Sequence, residues 1–190
     1  MDVVDDAAAL LESVVRPPRF GVVYERHLRA VHGYLRRRVG DGAAEDLCAE
    51  VFARAFRARA AYDPRHPTAL PWLLGIATHV IGDHRRAERR RLATLERLVA
   101  RGEDVALEPA HRALAPEVVR ALRRLRAADR DALLLVVWGE LSYDEAALAL
   151  GVPIGTVRSR IARARRRLAG DLEGPQTTTA ALAATGDEHA

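Results

Sequence analysis

Lysine is absent from this sequence of 190 residues, and all 30 basic positions are arginine. Every cationic contact therefore falls to a planar guanidinium, a shape suited to phosphate and guanine recognition. Cysteine is nearly absent too: Cys48 stands alone, which excludes an internal disulfide framework and a cysteine-rich zinc site. Aromatic residues make up only 5%, so a core must be built from leucine, valine and alanine. No apolar stretch approaches the roughly 18 residues that suggest a membrane span. The opening residues, Met1 to Glu12, are acidic where a secretion signal is basic. These absences point to a cytoplasmic protein with no membrane partner. The seven histidines are scattered, and no H-E-x-x-H motif, glycine-rich phosphate loop or nucleophile motif occurs. Neither an enzyme nor a bound cofactor or metal is expected.

What is present favours helix. Alanine, leucine and arginine dominate and β-branched runs are short, so the fold class is all-α. The length suits one medium domain or two small ones, and each of two lobes of about 70 residues would be marginally stable alone. A net charge of +4 permits an anionic partner without demanding one. Its distribution says more, because arginines crowd the runs Arg85 to Arg101 and Arg158 to Arg167.

Residues 1–19, ending in Arg16-Pro17-Pro18-Arg19, read as a loose leader. Tyr24, Leu28, Val31 and Leu35 alternate four and three apart, which predicts a helix from Phe20 to Val39 that Gly40-Asp41-Gly42 ends. A second helix is predicted from Ala43 to Ala60, then a turn-rich loop through Tyr62-Asp63-Pro64-Arg65-His66-Pro67. A third starts near Pro71, a favoured first-turn residue, and runs into the arginine tract. The first lobe is thus 20–91. Gly102, Glu103, Asp104 and Pro109 mark a flexible, acidic linker over 92–113. Apolar period returns in a second lobe, 114–169, and an aperiodic, disordered tail follows over 170–190.

The sharpest local pattern lies in the second lobe. Ser142 and Glu145 stand three apart as a capping box for a short helix from Tyr143 to Leu150. Gly151 suits the left-handed residue that ends it, and Pro153 opens the next helix. This is a helix-turn-helix. In its second helix Ile154, Val157, Ile161, Ala164 and Leu168 share a buried stripe. Gly155, Ser159, Ala162, Arg163 and Arg166 lie opposite, flanked by Thr156 and Arg158. Small residues between arginines allow close approach to a groove wall. Arg158 and Arg163 suit guanine edges, and Thr156 and Ser159 suit phosphates or bases, with Arg166 adding charge. A basic helix alone is usually a solvated surface; the capped helix and glycine turn before it favour DNA.

The run from Leu141 to Leu168, above all Gly155-Thr-Val-Arg-Ser-Arg160, resembles region 4 of the extracytoplasmic-function sigma factors. Other regulators carry similar helix-turn-helix segments, so the first half decides. Ala44-Glu-Asp-Leu-Cys-Ala-Glu-Val-Phe-Ala-Arg-Ala-Phe56 resembles the region 2 helix that binds the polymerase clamp. Pro71-Trp-Leu-Leu-Gly-Ile-Ala77, with Asp83-His-Arg-Arg86, resembles the promoter-melting helix. Both halves stand in the family's order and spacing from Phe20 to Ala169.

The resemblance implies RNA polymerase core, double-stranded promoter DNA and the melted minus-ten strand as partners, with an anti-sigma factor as a further one. It implies that Glu45, Asp46 and Glu50 contact core polymerase, in keeping with three carboxylates clustered on one helix of a basic protein. It assigns the minus-ten element to His79, Asp83, Arg85, Arg86 and Arg89, with Arg90 adding charge and the loop from Asp63 to Leu70 forming part of a base pocket. Thr156, Arg158, Ser159, Arg163 and Arg166 would contact the minus-thirty-five element. Trp72 is read as core packing rather than base stacking. Ala49 departs from the family's usual glutamine, and Thr78-His79 from its arginine-asparagine pair. The alternative is a stand-alone regulator with an unrelated sensor. That reading needs a receiver or ligand domain, and no α/β pattern supplies one.

Overall fold

The computed structural model describes residues 5–99 and 116–173, and among them every regular element is helical. The first lobe contains α1 (Asp6–Val15), α2 (Phe20–Val39), α3 (Asp41–Ala58) and α4 (Leu70–Val99). The second contains α5 (Pro116–Arg124), α6 (Ala127–Val137), α7 (Tyr143–Leu150) and α8 (Ile154–Glu173). The acidic residues Glu103, Asp104 and Glu108, and the sequence from Gly174 onward, lie outside the described residues.

The leader expected to be loose is a helix. Ala7, Ala9 and Leu10 of α1 are buried while Leu11, Val14 and Val15 are exposed, so no clean stripe announces it. Its anchorage is polar. The buried Asp6 carboxylate accepts from His27 Nε2 at 2.6 Å and from the Ala69 amide at 2.8 Å, and pairs with Arg26. At the other end, Arg59 Nε donates to the Ser13 carbonyl at 3.2 Å. Two further boundaries move. Helix α4 runs on to Val99, into the stretch read as linker, and α8 runs on to Glu173, into the stretch read as tail. Near the end of α8, Asp171 lies 3.6 Å from Arg124 and 3.8 Å from Arg167, so the final turn has ionic partners.

Helices α2, α3 and α4 pack around Val23, Val31, Leu35, Val51, Phe52, Leu73 and Ala77, all buried. Aromatic edges close the seams, with Phe20 against Phe56 at 5.3 Å and Tyr24 against Phe52 at 4.8 Å between ring centres. Gly40 turns the chain from α2 to α3 at φ 85°, a conformation that favours glycine. The predicted stop is therefore a real backbone requirement.

The two lobes are docked, with one continuous apolar core running through both. Helix α7 lies on α4, and Leu74 of α4 contacts the turn around Gly139. Arg38 crosses the junction. Only 2% exposed, it donates from Nη1 to the Tyr34 hydroxyl and from Nη2 to Asp131, both at 2.6 Å. Arg37 donates to the Trp138 carbonyl at 3.2 Å. The sequence pattern shows two lobes; their docking is visible only in the structure.

Candidate nucleic-acid interface

The capping box forms as expected. The Glu145 amide donates to the Ser142 hydroxyl, and the Ser142 amide donates to the Glu145 carboxylate at 2.8 Å. Gly151 ends α7 in the left-handed region at φ 62°, and the Val152 amide reaches the Ala147 carbonyl at 3.1 Å. These bonds fix where α8 begins. Val157, Ile161 and Ala164 are buried, while Arg158, Ser159, Ala162, Arg165, Arg166 and Arg167 are exposed. Thr156 is half-buried, and its carbonyl accepts from the Ser159 hydroxyl at 2.9 Å. A rigid scaffold thus presents a basic, small-residue face to solvent.

Arg163 departs from that picture. It is exposed, but its guanidinium turns toward α6 and pairs with the buried Asp129 at 2.9 Å. The hydrogen bond to Asp129 raises the Arg163 pKa above its ordinary value. Helical spacing placed the Cα correctly, yet spacing does not reveal a carboxylate on another helix.

On α4 the expected minus-ten residues divide into three groups. His79, Arg86 and Arg89 are exposed. Asp83 is an internal partner: it accepts from Arg54 at 2.7 Å and pairs with Arg86, and these bonds hold its pKa below the usual carboxylate range. Arg85 faces the docked lobe instead of open solvent and donates to the Arg38 carbonyl at 3.2 Å. Burial, then the like charges of Arg38 and Arg130, pulls its pKa down to about 10. The buried Nε atoms of Arg38 and Arg130 have no hydrogen-bond partner. The guanidiniums of Arg38, Arg85 and Arg130 all lie near the Asp131 carboxylate. Thr78 is buried and donates to the Leu74 carbonyl at 2.9 Å, so of the departing pair only His79 reaches solvent.

The loop between α3 and α4 is ordered by its own side chains. The Tyr62 hydroxyl donates to the carbonyls of His66 (2.8 Å) and Thr68 (3.1 Å), and its ring meets Trp72 edge-on at 5.2 Å. Trp72 is half-buried in this contact, in keeping with a packing role. Asp63 accepts from the Arg65 amide at 3.0 Å, and bonds from Arg65 hold its pKa far below the usual range. Sequence reasoning places Tyr62 in the turn-rich loop but assigns it no role, since a lone tyrosine carries no pattern.

Glu45 and Asp46 are exposed on the first turns of α3, beside exposed Ala49. Glu50 is held by Arg54 at 2.7 Å and lies 3.6 Å from Arg57. Glu50, Arg54, Asp83 and Arg86 thus form an ionic ladder along a shallow groove of about 440 Å³ between α3 and α4, floored by Leu47 and Val80.

Two family models match the chain, Sigma-70 region 2 over residues 23–91 and Sigma-70, region 4 over residues 116–168. The ECF RNA polymerase sigma factor SigC of Mycobacterium tuberculosis is 40% identical over 148 residues, covering 72% of this chain and 74% of its own. The chain is an extracytoplasmic-function sigma factor. It binds RNA polymerase core and promoter DNA and directs transcription initiation. SigK of Mycobacterium ulcerans is similar across more of the length, 30% identical over 177 residues, with 89% of this chain and 95% of the relative covered. Among solved structures, the sigma factor RpoE of Bartonella quintana, in complex with the anti-sigma factor NepR, matches with a TM-score of 0.53 at 26% identity. That match covers 84% of this sigma factor and 99% of the other chain. Helices α3 and most of α4 fall in the region 2 match, while α1 lies outside both. No helix among the described residues is long and apolar enough to cross a membrane.

Proposed function

We propose that α8 reads the minus-thirty-five element in the major groove through Arg158, Ser159 and Thr156, with Arg166 on phosphate. The exposed basic face of a capped helix-turn-helix carries this reading. Arg163 joins only where DNA outcompetes Asp129. On α4, His79, Arg86 and Arg89 face the melted minus-ten strand, and the ordered loop 63–70 borders the pocket for an unstacked base. Asp83 sets the position of Arg86, and Arg85 becomes available to DNA once the lobes part. Glu45 and Asp46 contact core polymerase, with Glu50 held in the ladder beside them. Like relatives solved with anti-sigma factors, this chain has such a protein as a partner, and it works in the cytoplasm as a non-catalytic factor.

Opening is part of the mechanism. The two elements lie about 25 base pairs apart, or roughly 85 Å at ~3.4 Å per pair. Helices α4 and α8 both pack on α7, which holds their axes within about 20 Å at ordinary packing distances. The docked form therefore engages one element at a time, and initiation requires undocking. The crowded guanidiniums at the junction favour release toward a polyanion.

Run-off transcription with purified core polymerase and a fragment carrying the gene's own upstream region tests the reading. Specific transcripts that appear only when this chain is added support it. Failure of the chain to bind core overturns it.

A further inference from the structure

Helix α1 lies outside both family matches, yet it meets the segment between α3 and α4 at both ends. The contact at Asp6 is the more telling one. Its carboxylate is 2% exposed and gathers three groups from two places in the chain, neighbouring residues of α2 and the end of the loop before α4. Oδ2 accepts from the Ala69 amide and from His27 Nε2, while Oδ1 pairs with Arg26. Ala69 is the last residue of the loop before α4, and it is fully buried. Its amide is directed at α1 rather than at any group of the loop itself. The other end of α1 takes Arg59, in the short helical turn Arg59–Ala61 that follows α3.

The loop is thus held from three sides. Tyr62 bridges the His66 and Thr68 carbonyls from within, Arg59 ties its entrance to α1, and Asp6 ties its exit. A bond from a backbone amide to a carboxylate that also engages two cationic-capable side chains is of the stronger, charge-assisted kind. Burial in a low-dielectric surround strengthens it further. Such a bond fixes the loop backbone and the first turn of α4 together, because the Leu73 amide closes that turn onto the Ala69 carbonyl at 2.9 Å.

We infer that Asp6 is a positioning residue for the minus-ten pocket. Without touching DNA, it sets the loop Asp63–Leu70 and the start of α4 so that the pocket discriminates among unstacked bases. This rests on the reading that the loop borders that pocket. Discrimination needs the backbone held to a fraction of an ångström, and a pocket left to slide keeps binding strands while losing its preference.

The test is selection of single-stranded DNA from a random pool by the chain assembled with core polymerase. Wild type is compared with Asp6→Ala and with His66→Ala, a change in the loop itself. Binding to core is measured alongside, and all variants are read below their melting temperatures. Asp6→Ser, which keeps a small polar side chain but falls short of Ala69, serves where Asp6→Ala does not fold. Both kinds of variant are expected to keep core binding and to lose base preference at the same strand position, the Asp6 variants by about tenfold, the scale of one charge-assisted bond. Loss with His66→Ala but full preference with the Asp6 variants overturns the role of Asp6 and leaves the loop reading standing. Full preference in every variant overturns the loop reading, and the role of Asp6 with it.

Discussion

The carbonyl oxygen of Ala149, at the end of α7, occupies the space that a Cβ on Gly75 of α4 would need. The Ala149 carbonyl carbon and Cα stand 3.2 and 3.3 Å from that position, so the obstruction is backbone and cannot swing aside. Gly75→Ala is therefore a wedge between the lobes. It is expected to enlarge the radius of gyration in small-angle scattering and to lower stability by about 1–3 kcal/mol, the usual cost of overpacking. Helix content by circular dichroism should hold. An unchanged radius and melting temperature would contradict the docked arrangement.

Arg38 and Asp131 couple the lobes electrostatically. Asp131→Ala leaves a guanidinium buried without its counter-charge, and a loss of about 3 kcal/mol is expected. That loss is at the low end for buried pairs because the Asp131 side chain is 20% exposed. Arg38→Met added to Asp131→Ala should recover part of the loss, since the guanidinium bonded directly to Asp131 is then gone while Arg85 and Arg130 remain. Urea unfolding of the single and double variants checks this. A double variant no better than the single one would place the cost elsewhere.

Arg158 and Arg163 both lie on the exposed side of α8 but should behave differently. Arg158→Ala is expected to weaken minus-thirty-five binding by about 1–3 kcal/mol if it reads a base, or to lower the salt slope by about one unit if it contacts phosphate. Arg163→Ala removes the partner of buried Asp129, so its main effect should be a lower melting temperature. DNA titrations over a salt series, with melting curves beside them, separate the two. Equal DNA effects with no change in stability would restore Arg163 to the reading face.

The contrast shows what the sequence could reveal. Periodicity located α8, the cap at Ser142, the glycine turn and the exposed face, because each depends on neighbours within a turn or two. It could not show that Arg163 is held by Asp129, 34 residues away, or that Arg85 is tied to the Arg38 carbonyl, 47 residues away. Helix α1 escaped for the same reason. Its apolar residues form no single stripe, and the carboxylate that anchors it finds partners at residues 26, 27 and 69. Glu45 and Asp46 were legible as exposed charge on a helix, while the pairing of Glu50 and Asp83 through Arg54 depends on how α3 and α4 pack.

Asp6 also carries a pH signature. Burial pushes its pKa up, but hydrogen bonds from the Ala69 amide, His27 and Arg26 outweigh that and leave it below the ordinary value of 3.8. A carboxylate with a lowered folded pKa stabilises the chain fully above its unfolded value and loses that contribution as pH falls through the folded one. The stability gap between wild type and Asp6→Asn should be widest near neutrality and should close as pH drops below about 4. Urea midpoints across that range measure it. A gap independent of pH would remove the ionised carboxylate from the account.

The most direct test of the mechanism is energy transfer between dyes at Ala30→Cys on α2 and Ala169→Cys on α8, both exposed positions. The native Cys48 is buried and its thiol is pushed up by that burial, so it competes poorly for label. The free chain should show high transfer. On adding core polymerase and a promoter that supports run-off transcription, transfer should collapse as the lobes separate to reach elements roughly 85 Å apart. High transfer maintained in the transcribing complex would contradict the opening mechanism.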